Sequence, residues 1–140
     1  MPYTSYQRLT ALDATFLDLE SPGVHMHVGS VSLFEGGSLL REDGGLDFEQ
    51  AVRVVEAGLR RAPRLRQKLV HTPITQNPVW VDDEHFNLLY HVRHTALPWP
   101  GDRRRLARLA GRIMSEKLDT RKPMWEMWFV EGLDEARFAL

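Results

Sequence analysis

His25 and His27 stand two residues apart. On an extended strand that spacing puts both imidazoles on one face, where they could share a metal ion. Zinc would need one or two further ligands beside them, and a pair of histidines lining a sheet face fits the same spacing. His91 and His94, three apart, do not converge on a strand, and His71 and His85 are isolated. Asp82-Asp83-Glu84 could hold a hard cation or form a solvated acidic turn. Arg103, Arg104, Arg105, Arg108 and Arg112 could meet the phosphates of a cofactor or of a membrane surface, or form a solvated helix face. Four tryptophans, Trp80, Trp99, Trp125 and Trp128, could pack a core or wall an apolar tunnel. There is no cysteine, which excludes disulfides, thiolate metal sites and a thiol nucleophile. No GxSxG, P-loop, GxGxxG or HExxH pattern occurs. None of these residues identifies a nucleophile or a general base.

The elements that must position these residues are partly legible. Thr10 can cap a short helix with Asp13 three residues on, and Leu12, Phe16 and Leu19 share one face of it. Residues 25–34, HMHVGSVSLF, carry apolar residues at both parities, which predicts an interior strand covered on both sides. Gly36-Gly37 ends it, and residues 38–45 read as a polar loop. Asp47 with Gln50 predicts a second helix over 47–61, its stripe formed by Phe48, Val52, Val55 and Leu59. Residues 63–70 read as an edge strand or extended segment, residues 86–97 as a further strand, and 97–102 as a stiff loop. Asp102 caps a third helix that buries Leu106, Leu109, Ala110, Ile113 and Met114 and exposes Arg104, Arg108 and Arg112. Residues 125–132 and 137–140 predict a hairpin, with Trp125 and Trp128 at opposite parity in its first strand. Mixed strands and helices make the expected class α/β or α+β.

The chain of 140 residues has the size of one domain and a composition, 43% hydrophobic and 26% charged, that excludes a disordered chain. The net charge of −1 gives no case for nucleic acid, and the arginine helix lacks the interleaved aromatics that single strands stack on. That total conceals a net −6 over residues 1–50, +7 over 51–112 and −2 over 113–140. The first eighteen residues lack the basic and apolar regions of a secretory leader, and no run is long enough to span a membrane, so the expected location is cytoplasmic. Phe138-Ala139-Leu140 opens an apolar strand and stops, from which a fragment of a longer protein is expected.

LTALDATFLDLE followed by HMHVGSVSLFEG resembles the opening of the bacterial wax ester synthase/diacylglycerol acyltransferase family, where LDAxFLxxE precedes PMHVG. His25 stands where that family usually has proline. The helix at 47–61 followed by PRLRQKL is also similar, and LDTRKPMWEMWFVEGL matches the family's Pro-Leu-Trp block as Pro123-Met124-Trp125. The resemblance runs in order through essentially all 140 residues. It implies an α/β fold like that of chloramphenicol acetyltransferase or a condensation domain, in which two similar subdomains enclose a tunnel. Residues 1–140 would be the N-terminal part of the first subdomain.

The family's His-His-x-x-x-Asp-Gly motif does not occur in the sequence and would follow RFAL, so the resemblance carries over no catalytic residue. It implies an acyl-CoA-dependent O-acyltransferase that makes triacylglycerol or wax esters from diacylglycerol or a long-chain alcohol. Acyl-CoA would be a substrate and no cofactor would be needed. The implied partner is a C-terminal remainder of the same enzyme, in the same or a separate chain. The implied location is cytoplasmic or peripheral at a membrane or lipid droplet. Pro123, Met124, Trp125 and Trp128 would be substrate-facing or structural. Two alternatives remain at this point: a related acyltransferase acting on polyketide or glycolipid hydroxyls, and a non-catalytic module that binds lipid surfaces through the arginine row.

Overall fold

The computed structural model describes residues 6–74 and 77–140. Residues 1–5 of the segment read as lacking a leader lie outside the described residues. In chain order the elements are β1 (Gln7–Arg8), α1 (Ala11–Leu19), β2 (Leu33–Glu35), α2 (Phe48–Leu59), β3 (Gln67–His71) and β4 (Pro78–Asp82). There follow α3 (Leu88–His91), β5 (Val92–Ala96), α4 (Arg103–Met114), β6 (Met127–Glu131) and β7 (Arg137–Ala139). The chain folds as two compact units, each assembled from three separate stretches.

The first unit comprises residues 1–28, 61–86 and 117–125. Its sheet has the antiparallel order β1-β4-β3, with Gln7 opposite Trp80 and Leu69 opposite Trp80. β3 is therefore an edge strand, as the sequence predicts for residues 63–70; a short 3-10 turn at Pro63–Arg66 precedes it. Leu69, Val79 and Val81 are buried. α1 starts where Thr10 Oγ1 accepts the Asp13 backbone N–H at 3.2 Å and donates to the Asp13 carboxylate at 2.6 Å. Its Leu12, Phe16 and Leu19 face is exposed.

The acidic turn after β4 is structural. Asp83, with only 5% of its side chain exposed, meets Lys68 Nζ at 3.0 Å and accepts the His85 backbone N–H. Burial pushes its carboxyl up, but the Lys68 bond, the His85 N–H and the Lys68 charge outweigh that and hold it below the usual range. A depressed folded value means the stabilisation is complete above about pH 5 and is lost as the pH falls through the folded value, below about 4. Asp83→Asn is expected to flatten this acid limb in a curve of thermal midpoint against pH. An unchanged limb would show that another group titrates.

The second unit comprises residues 29–60, 87–116 and 126–140. Its sheet has the order β2-β7-β6-β5, with β5 and β6 parallel and the other pairs antiparallel. α4 seats Leu106 on Leu97, Val130 and Ala139, with Leu109 and Leu133 packed around them. Asp102 caps α4 by accepting the Arg105 N–H at 2.8 Å. Asp47 caps α2 by accepting the Gln50 N–H at 2.9 Å. The Gln50 side chain does not close the box: it accepts from Arg53, while the Asp47 N–H goes to the Leu39 carbonyl.

Four expectations are corrected. The strand predicted over 25–34 shortens to β2, which pairs on one side only, and Val28, Val31 and Phe34 are exposed. Ser32 and Leu140 exchange backbone hydrogen bonds just beyond β2, at 2.8 and 2.9 Å. Residues 86–97 are not one strand: Asn87 accepts the Leu89 N–H at 3.0 Å and starts α3, and the strand begins only at β-branched Val92. Trp125 is not in the strand with Trp128. Its N–H turns back to the Pro123 carbonyl at 2.9 Å, and the ladder begins at Met127 opposite Val92. Met114, expected on the buried face of α4, is 39% exposed, because the helix ends there.

Candidate functional site

The first unit contains a cavity of about 310 Å³ with a largely apolar wall. α1 and its flanks contribute Leu9, Phe16 and Leu17, together with the carboxylates of Asp13 and Glu20. The extended strip after α1 contributes Met26, His27 and Val28. Leu69 and Trp80, cross-strand neighbours on β3 and β4, form part of the wall, and Leu118, Thr120 and Met124 complete it.

One carboxylate ties three of these segments together. Glu20 Oε1 accepts the Met26 N–H at 3.2 Å, and Glu20 Oε2 meets Lys117 Nζ at 3.4 Å. The Glu20 side chain is 11% exposed, while that of Lys117 is 46% exposed and reaches it from the solvent side. The His27 ring stacks on His25 at 5.5 Å between centroids. Trp80 is clamped by the Arg64 guanidinium, 4.7 Å above its ring.

The four residues singled out on sequence grounds are not brought together. Met124 lines the cavity. Pro123 is buried beside it in sequence but is not part of the wall. Trp125 anchors the segment instead, donating its indole N–H to the Leu65 carbonyl at 2.7 Å. Trp128 belongs to the second unit, where it donates to Glu126 at 3.0 Å and lies under the Arg93 guanidinium at 5.4 Å. His25 and His27 gain no third ligand: among the described residues no group of three or more His, Asp or Glu side chains is placed to hold a metal ion. Trp80, one of the four tryptophans that could wall a tunnel, does line the cavity, whereas Leu69, Leu118 and Thr120 carry no such signal in the sequence. Which face of β3 and β4 meets the cavity depends on their register, which sets Leu69 opposite Trp80.

An apolar wall with a few polar groups suits a hydrocarbon chain rather than a charged ligand. The wall offers no side chain with the partners of an activated nucleophile.

The chain matches the model of the wax ester synthase/diacylglycerol acyltransferase catalytic domain over residues 9–140. It belongs to the wax ester synthase/diacylglycerol acyltransferase family. It is 41% identical over 134 residues to a probable diacylglycerol O-acyltransferase of Mycobacterium tuberculosis, covering 95% of this chain and 48% of that protein. A putative diacylglycerol O-acyltransferase of the same species is 37% identical, covering 93% of this chain and 26% of that one. Among solved structures, the wax ester synthase/diacylglycerol acyltransferase from Marinobacter aquaeolei VT8 superposes with a TM-score of 0.74 at 35% identity, covering 94% of this chain and 31% of that one. The mixed α/β class expected from the sequence is thus the fold of a solved family member. The chain spans about half or less of the length of these relatives. In this member of the wax ester synthase/diacylglycerol acyltransferase family, three of the blocks that carry the resemblance, LDATFLDLE, HMHVG and the Met124 segment, supply wall to one cavity, whereas the helix at 47–61 does not.

Proposed function

We propose that this chain is the N-terminal part of an acyl-CoA-dependent O-acyltransferase that makes triacylglycerol, wax esters or both, and that its cavity receives an alkyl chain of donor or acceptor. The observation that carries this is the convergence of three of the family blocks, separated by up to about a hundred residues, on one apolar cavity. Each methylene moved from water into such a wall contributes about 0.8 kcal/mol, enough for a short stretch of chain to fix the position of its reacting end.

In the reaction, the acceptor hydroxyl loses its proton to a general base as its oxygen attacks the thioester carbonyl. The carbon–sulfur bond then breaks and the thiolate leaves as coenzyme A. The 140 residues hold no His-His-x-x-x-Asp-Gly motif. The base therefore belongs to the remainder of the enzyme, and this chain binds and positions. No cofactor enters the scheme. Diacylglycerol and long-chain alcohols are sparingly soluble, so the enzyme works in peripheral contact with a membrane or lipid droplet; no helix among the described residues is long and apolar enough to cross a bilayer.

The test is release of free thiol from palmitoyl-CoA by the full-length protein, with hexadecanol or dipalmitoylglycerol as acceptor. Thiol release with either acceptor is expected. Silence with both would reject the proposal, and turnover only with polyketide or glycolipid hydroxyls would move the protein to a different acceptor class.

A further inference from the structure

Helix α4 carries a charge that no carboxylate among the described residues pairs. Arg105 is paired with Asp102 at 3.0 Å, but Arg103, Arg104, Arg108 and Arg112 are exposed and have no carboxylate partner among the described residues. At 100° per residue, Arg104, Arg108 and Arg112 form a row about 12 Å long, opposite the buried Leu106. Ala107 and Gly111 are the small exposed residues beside the row, and open space surrounds Gly111. The guanidiniums can therefore approach a flat surface without obstruction.

A second observation lies at the start of the same helix. Trp99 is 90% exposed between Pro98 and Pro100. Its loop is fastened to the first turn of α4, because the Pro100 carbonyl accepts both the Asp102 N–H at 2.8 Å and Arg105 Nη1 at 3.0 Å. A rigidly presented indole costs water contact unless it has a surface to enter, and the headgroup layer of a bilayer suits its apolar ring and polar N–H.

We propose that the α4 arginine row, with Trp99 at its head, docks on an anionic lipid surface. Planar, weakly hydrated guanidiniums pair well with lipid phosphates, and the strip is a surface contact rather than an inserted helix because its apolar side is already spent on the sheet. The proposal gives a place on the molecule to the peripheral contact suggested above. Its test needs no turnover, so it can fail without the acyltransferase reading failing, and the reverse.

The experiment is co-sedimentation of the full-length protein with vesicles of phosphatidylcholine alone or with about a third phosphatidylglycerol, at low and high salt. Binding is expected to the anionic vesicles only, and to weaken with salt. Each arginine at such a surface is worth about fivefold in affinity, so the combined Arg104→Gln, Arg108→Gln and Arg112→Gln variant should bind roughly a hundredfold more weakly. Its circular dichroism and thermal midpoint should match the parent, since these side chains are exposed. Trp99→Ala should weaken binding several-fold. The proposal is overturned if the triple variant binds like the parent, if neutral vesicles bind equally well, or if Trp99→Ala has no effect. Release of the vesicles by free coenzyme A would also overturn it, since the row would then take nucleotide phosphates.

Discussion

Gly101→Ala is expected to destabilise the protein by about 3 kcal/mol or more, as read from the midpoint of urea or thermal unfolding. A Cβ built on Gly101 falls on the carbonyl of Gly132, which is backbone and cannot rotate away as a side chain could. Gly132 has its own constraint, with φ +84° and the Leu97 carbonyl oxygen 2.7 Å from where its Cβ would be. The two glycines let the 97–102 loop cross the end of β6 at backbone contact, and the Leu97 N–H bonds the Glu131 carbonyl there at 2.9 Å. Alanine at Gly101 must push these segments apart and disturb Leu97 and Val130 in the core. Gly111→Ala is the control. It lies inside α4 with nothing within 4 Å of the new methyl, so it should stabilise by about 0.5–1 kcal/mol. Equal midpoints for Gly101→Ala and the parent would mean that the loop does not make this crossing.

The second large effect concerns the cavity. Met124→Trp should fill part of it, excluding on the order of three methylenes of a bound chain. At about 0.8 kcal/mol each, the ratio of kcat/KM for long-chain over short-chain substrates should fall about fiftyfold. Met124→Ala, which enlarges the same space, should retain long-chain turnover. A loss shared equally by short and long substrates would remove the cavity from chain binding. Because Met124 is only half-buried, a thermal midpoint near the parent's is expected for both variants and separates lost binding from lost folding.

Helix starts were the most legible part of the fold, because a cap is a local bond. Thr10, Asp47 and Asp102 each accept the N–H three residues on, as their sequence positions imply. Strands were less legible because partners decide them. Residues 25–31 have strand composition, yet β2 has only three residues, Leu33–Glu35, each opposite one residue of β7. Asn87 starts α3 within a run whose apolar residues predict only a strand, and His91, only 1% exposed, shows no sign in sequence that it is buried. For the cavity, periodicity pointed to no site at all. The resemblance put Met124 among the residues to watch. What drew it next to Glu20 and Trp80 is tertiary: the Trp125 indole bond to Leu65 and the Lys117–Glu20 pair.

The alternation of the two units along the chain has a consequence for how the protein is made. β2 leaves the ribosome early, and its partner β7 is separated from it by about a hundred residues, Leu33 lying opposite Ala139. Closing so long a loop delays pairing, and neither unit is whole until its third stretch has been synthesised. The nascent chain therefore carries Leu33 and Phe34 unpaired until β7 has emerged, a period in which a chaperone or a neighbouring nascent chain can capture that edge.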